Sequence, residues 1–189
     1  WPRLHRAILD ELGGQGLIDW SRTIADAACV RAKRGSLTGP SPADRGKPGS
    51  KIHVLSGRGG LPLSLALSAA NTSDAFALQP LVRAIPAIRS RRGPRCRKPA
   101  KLHADKSYDQ ADLRAWLRDR SIAVRIARKG IETGDKLGRH RWVIEGTLAW
   151  LTGYRRLTLR YERHASHFLA FLTLAATVTC YKKLIKCTT

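Results

Sequence analysis

The sequence predicts an α/β fold, a mixed sheet that opens with an antiparallel hairpin and is flanked by helices. Three observations carry this. Leu61, Leu63, Leu65 and Leu67 alternate with Pro62, Ser64, Ala66 and Ser68 directly after a Gly57-Arg58-Gly59-Gly60 turn, which is the period of a half-buried strand leaving a hairpin. Beyond the hairpin, short strand-like runs alternate with stretches of helical period, the pattern of a sheet covered by helices. The chain has 189 residues, 43% of them hydrophobic, enough for one domain with a proper core.

Residues 1–12 read as a short amphipathic helix, with Leu4, Ile8, Leu9 and Leu12 on one side and Gly13-Gly14 stopping it. It cannot bury that face alone. Residues 1–19 are therefore expected to be the helical remnant of an upstream region, resting on a domain of residues 20–187, with 188–189 as a tail. The absence of methionine and the opening Trp1-Pro2 lead to the same expectation, an N-terminally truncated chain. Residues 20–30 read as a strand with one acid, Asp26, in the middle. Residues 31–50 read as a loop, being rich in glycine, proline and basic residues. Residues 51–56 and 61–68 form the hairpin, with Pro62 tolerable near a strand start.

Asn71-Thr72-Ser73-Asp74 is a helix-start sequence, and residues 76–85 carry helical spacing interrupted by Pro80. Residues 89–98 are a basic loop. Residues 101–105 are a strand, 110–120 a helix with Leu113, Trp116 and Leu117 on one face, and 122–127 a further strand. Residues 128–137 are expected to be loop, 139–152 helix, and 166–186 a closing helix dense in Phe, Leu and Ala.

Charge narrows the function. Thirty-five Lys and Arg face 14 Asp and Glu, a formal net charge of +21. A field of that sign favours a polyanion, and nucleic acid is the commonest one in a cell. The longest apolar run, residues 168–178, is too short to span a bilayer, so no membrane partner is expected. Cys29, Cys96, Cys180 and Cys187 contain no C-x-x-C pair, which argues against zinc and against a disulfide framework and fits a reducing cytoplasm. No RNA-module motif is present.

Against this basic background three acids stand out. Asp26 sits mid-strand among apolar neighbours, where a lone carboxylate is costly. Asp105 ends the strand in KLHADKSYD, where it either caps a turn or binds a metal. Glu145 lies in RHRWVIEGTLAWL beside the apolar stripe of Ile144, Leu148 and Leu151, with Arg141 one turn earlier on the same side. Converging carboxylates raise one another's pKa unless cations neutralise them, and hard Mg2+ or Mn2+ ions suit oxygen ligands. Two such ions ~3.5–4 Å apart can clamp the attacking and leaving oxygens of a phosphodiester displacement.

The stretches DWSRTIADAACVRAKR, DRGKPGSKIHVL, GLPLSLALSAANTSD, KLHADKSYD, RHRWVIEGTLAWL and YRRLTLRYERHASHFLAFL, in that order from about residue 20 to 184, resemble the DDE transposases of bacterial insertion sequences. That resemblance implies a ribonuclease H-like fold and metal-dependent DNA strand cleavage and strand transfer at element ends. It also implies Asp26, Asp105 and Glu145 as the D, D and E, and Arg141 as the arginine of the signature around the glutamate. Double-stranded DNA is the implied partner, with a second copy of the chain as a further one, acting in the bacterial cytoplasm at the nucleoid. Gly138, Gly146 and Thr152 stand where relatives carry tyrosine, a basic residue and lysine. The alternative expectation is therefore a catalytically decayed DNA-binding remnant.

For phosphate contact the basic loops supply Arg31, Lys33, Arg34, Lys47 and Lys51, and Arg91, Arg92 and Arg95, because these loops flank the strands carrying the aspartates. His53 and His103 are expected to pack or hydrogen-bond, and His140, His164 and His167 to lie at the surface or at helix starts. Trp142 and Trp150 are expected in the core beside the leucine stripe, with stacking on an extruded base as the alternative.

Overall fold

The computed structural model describes residues 1–130 and 135–188, with the side chains of 131–141 and 188–189 outside the description. A seven-stranded mixed sheet forms its centre. The strands are β1 (Thr23–Ala32), β2 (Gly39–Pro40), β3 (Pro48–Gly57), β4 (Pro62–Ala69), β5 (Lys101–Ala104), β6 (Ala123–Ile126) and β7 (Leu159–Arg160). The main path runs β2-β3-β1-β5-β6, with β4 also on β3 and β7 also on β1. β3 pairs antiparallel with β1 and β4, while β5, β6 and β7 join in parallel. The helices are α1 (Pro2–Gly14), α2 (Asp74–Arg83), α3 (Ala111–Asp119), α4 (Asp135–Thr152) and α5 (Ala165–Thr188).

The hairpin forms as its alternation predicts, turning through Gly60, whose φ of +79° favours glycine. The reading of 31–50 as loop is corrected. Gly39–Pro40 pairs with Pro48–Gly49, so β3 begins before Lys51. Proline and glycine are tolerated there because β2 is a two-residue edge piece. The expected loop at 128–137 is shortened at its end, since α4 starts at Asp135; residues 131–134 lie outside the described residues.

Alternation along the strands sorts side chains onto two faces. Ala25, Leu55, Leu102 and Ala104 pack against Leu78 and Leu81 of α2 and Leu113 and Leu117 of α3. Ile24, Val30, Ile52 and Val54 pack on the other face against Ile144, Leu148 and Leu151 of α4 and Phe168 and Leu172 of α5. A third cluster joins Leu9 and Leu12 of α1 to Leu61, Leu63, Ile88 and Cys180. Residues 1–19 are thus part of the same folded body: the buried His5 ring shares a hydrogen bond with the Pro62 carbonyl at 3.0 Å.

Helix α5 is longer than the apolar run suggested, and by length and composition alone Ala165–Cys187 would suffice to cross a bilayer. Its buried row of Phe168, Leu172, Ala176 and Cys180 is used instead to cover the sheet and α1. Arg160 at the end of β7 is wholly buried, donating to the Ser50 hydroxyl at 2.6 Å and to the carbonyls of Glu162 (3.1 Å) and Leu37 (3.3 Å). Those acceptors stand in for the water such a cation gives up.

Candidate active site

The parallel pairing of β1 with β5 aligns Thr23 with Leu102 and Ile24 with His103. Asp26 and Asp105 each follow this last pair by two residues, Asp26 still within β1 and Asp105 just past the end of β5. Residues abreast on neighbouring strands point to the same face, and Asp26 shares its face with Ile24, the side covered by α4 and α5. Both aspartates are half-buried.

The edge of β1 also changes partner here. The pairing with β5 stops at Ile24 and the pairing with β7 starts at Arg31. Asp26 therefore lies where two neighbouring strands part, at the carboxyl end of β5, the kind of crevice in which α/β sheets bind ligands.

Of the two readings of Asp105, the turn cap is observed. Its Oδ1 accepts from the Ser107 amide at 2.8 Å and from the Ser107 hydroxyl, capping the single 3-10 turn Lys106–Tyr108. The second carboxylate oxygen is not used by that cap. The buried Tyr108 hydroxyl connects the aspartates electrostatically. Burial first, then the charges of Asp74, Asp26 and Asp105, push its pKa well above the ordinary tyrosine value. Asp109, at the end of the same motif, is structural. It accepts from the Lys129 amide (2.9 Å) and from Arg114 (2.7 Å), and these bonds hold its pKa below the usual carboxylate range.

Glu145 lies on α4 next to Ile144, which is buried against the sheet, while Glu145 itself is exposed. Among the described residues no three His, Cys, Asp or Glu side chains are gathered closely enough to hold a metal ion, so Glu145 does not stand in one ready cluster with the aspartates. Carboxylates such as those of Asp26 and Asp105 are the donor type a hard divalent cation takes. Arg141 falls within α4 by its backbone, and its side chain, like that of His140, lies outside the described residues. The position of α4 is fixed by Thr147, which sequence reasoning passed over. Its buried hydroxyl donates to the Gly60 carbonyl at 2.8 Å, locking the hairpin turn against the helix.

The basic residues divide. Lys33, Arg34, Arg91 and Arg92 are exposed. Arg31 and Lys47 are exposed too, at 3.0 and 4.0 Å from Asp44. Lys51 is a correction: it is buried, 2.8 Å from Asp74 and 2.8 Å from the Thr72 carbonyl, which commits it to the fold. Arg95 is tied to both oxygens of Asp10 and to the Ala87 carbonyl, so it anchors the 89–98 loop to α1. His53 is buried against the Ser68 hydroxyl at 2.8 Å, and burial depresses its pKa to about 4.

The two tryptophans overturn the expected core placement. Trp142 is 68% exposed and Trp150 56% exposed. The inward stripe of α4 is Ile144, Leu148 and Leu151, and the indoles fall outside that arc.

The family model described as Transposase DDE domain matches residues 20–180. A protein of Burkholderia cepacia that carries the name transposase for insertion sequence element IS402 is 45% identical over 147 residues, 78% of this chain and 70% of that protein. Among solved structures, a piggyBac transposase synaptic complex with hairpin DNA matches with a TM-score of 0.51 at 9% identity, covering 83% of this chain. The chain spans 45% of that protein's length. At that identity the likeness speaks for the fold, which is ribonuclease H-like. Members of the matched family are DNA transposases that cut and rejoin DNA strands and use divalent metal ions. By the span of the family match and the identity to its relative, this chain belongs to the DDE transposase family.

Proposed function

We propose that this chain is the catalytic part of an insertion-sequence transposase that cuts DNA at the ends of its element and joins the freed 3′-hydroxyl to a target strand. The observation that supports this most is the parallel pairing of β1 with β5, the strand that carries Asp26 and the strand that Asp105 follows. Asp26, Asp105 and Glu145 would hold two Mg2+ or Mn2+ ions. Such ions, when bound, lower the pKa of water and offset charge on phosphate oxygens.

The remaining work falls to the chain. In the cut, a water oxygen bonds to phosphorus, the P–O3′ bond breaks and the 3′ oxygen takes a proton. In the join, that 3′-hydroxyl gives up its proton and bonds to a target phosphorus, the target's own P–O3′ bond breaks in line, and the released 3′ oxygen takes a proton. Asp26 is fixed in a strand paired with β3 from Thr23 to Arg31, and Asp105 is fixed by its own cap, so neither carboxylate must be ordered at the moment of reaction. Arg141 orients Glu145 or a phosphate. Arg31, Lys33, Arg34, Lys47, Arg91 and Arg92 contact the duplex backbone, and two copies act on two element ends in the cytoplasm, where the chromosome is.

The space around Gly146 speaks against decay of the helix here: a Cβ at that position meets nothing within 4 Å, so glycine replaces a basic residue without collapsing the packing. The test is nicking of labelled element-end duplex by the wild type and by Asp26→Asn and Asp105→Asn, with Mn2+ binding followed by calorimetry. Both variants should lose nicking and weaken Mn2+ binding while keeping the fold. Unchanged nicking in either variant overturns the assignment.

A further inference from the structure

Beyond Glu145, the exposed side of α4 runs into a groove of about 650 Å³ between α4, the C-terminal half of α5 and the hairpin turn. Ala149, one helical turn from Glu145, forms its near end. Trp150, Tyr154 and Leu61 supply its apolar lining, and Lys182, Lys183 and Lys186 line the α5 side. The lysines recur on one face of α5, and Lys182 Nζ lies 5.7 Å from the Tyr154 ring centroid. No acidic side chain is among the lining residues.

We propose that this groove binds an unpaired strand of DNA, its bases on Trp150 and Tyr154 and its phosphates on Lys182, Lys183 and Lys186. Two features select this occupant. An aromatic surface beside a line of cations with no acid is the chemistry that holds single strands, since every base has a π-face and every linkage a charge. The aromatic rings also sit in a concave groove, where a base still paired in a duplex cannot turn its face toward them. The groove begins one helical turn from Glu145, so it would take the strand leaving the cut. The proposal rests on the reading that the chain acts on DNA, and it concerns residues distinct from Asp26, Asp105 and Glu145.

The test is fluorescence anisotropy with the whole chain, using labelled oligothymidine of about ten nucleotides and a duplex of the same length at fixed salt. Trp150→Leu should bind the single strand about tenfold more weakly and the duplex as the wild type does. Because Trp150 lies against Gly60 of the turn, a second variant, Lys182→Ala with Lys186→Ala, changes only exposed side chains and should show the same selective loss. Equal losses for single strand and duplex, no loss in the lysine variant, or displacement of the oligonucleotide by a polyglutamate peptide would each overturn the proposal. Asp105→Asn serves as the internal reference. If it abolishes nicking while the groove variants bind normally, the groove assignment fails and the catalytic one stands.

Discussion

The two faces of the sheet hold their polar side chains in different settings. On the face under α2, Lys51 is matched to Asp74 and the His53 ring to the Ser68 hydroxyl. On the face under α4 Asp26 is half-buried at the point where β1 changes neighbours, and the half-buried Asp105 follows the end of β5. A charged residue on a strand is therefore no signal by itself. An opposite partner within the fold, as Asp74 is to Lys51, marks a structural charge. Like charges brought close together are costly unless a cation neutralises them.

The comparison is broken most severely by removing charge from the open face. Asp105→Asn preserves a capping side chain, because asparagine caps as well as aspartate, yet it should lower nicking by at least about a thousandfold with little change in melting temperature. Lys51→Ala should do the reverse. It strands Asp74 and should cost about 3 kcal/mol in urea denaturation, with nicking per folded molecule retained at temperatures below the melt. Nicking lost in Lys51→Ala at full stability would move that lysine to the working side.

Acid should act on the sealed residues next. His53 and His5 are both buried with pKa values depressed from 6.5 to about 4. The unfolded chain then binds more protons between those values, so stability is present above pH 6.5 and falls as pH drops toward 4. Urea midpoints measured between pH 7 and pH 4.5 should decline, and His53→Gln should flatten the slope. Smaller again is Thr147→Val, which leaves the Gly60 carbonyl without its donor and should cost about 1–2 kcal/mol in denaturation. The smallest effect belongs to the loops. Arg91→Ala and Arg92→Ala should each reduce the slope of log affinity against log salt on duplex DNA by about one, leaving fold and nicking chemistry unchanged.

Where a period exists in the sequence, the fold was legible. The leucine alternation gave the hairpin, the Ile144–Leu148–Leu151 spacing gave the buried row of α4, and KLHAD gave β5 with its terminal aspartate. What failed has no local period. β7 is two residues long and exists only because β1 offers an open edge to it. The burial of Lys51 depends on Asp74, which sits beyond the hairpin. Trp142 and Trp150 sit near leucines in sequence, but the arc they occupy faces away from the sheet, and composition does not encode that angle. The candidate aspartates were legible one by one; the pairing of β1 with β5 was not, since it joins positions 79 residues apart.

The divided edge of β1 has a consequence for synthesis on the ribosome. The strand holding Asp26 is made early, but its parallel partner β5 lies about 75 residues downstream and its last partner, β7 with the buried Arg160, about 130. Nascent chains that stop short of Arg160 leave that edge open and the hydroxyl of Ser50 without its guanidinium. Such intermediates expose a strand edge that can pair with other chains, so premature termination late in the gene should yield aggregates rather than a smaller folded protein.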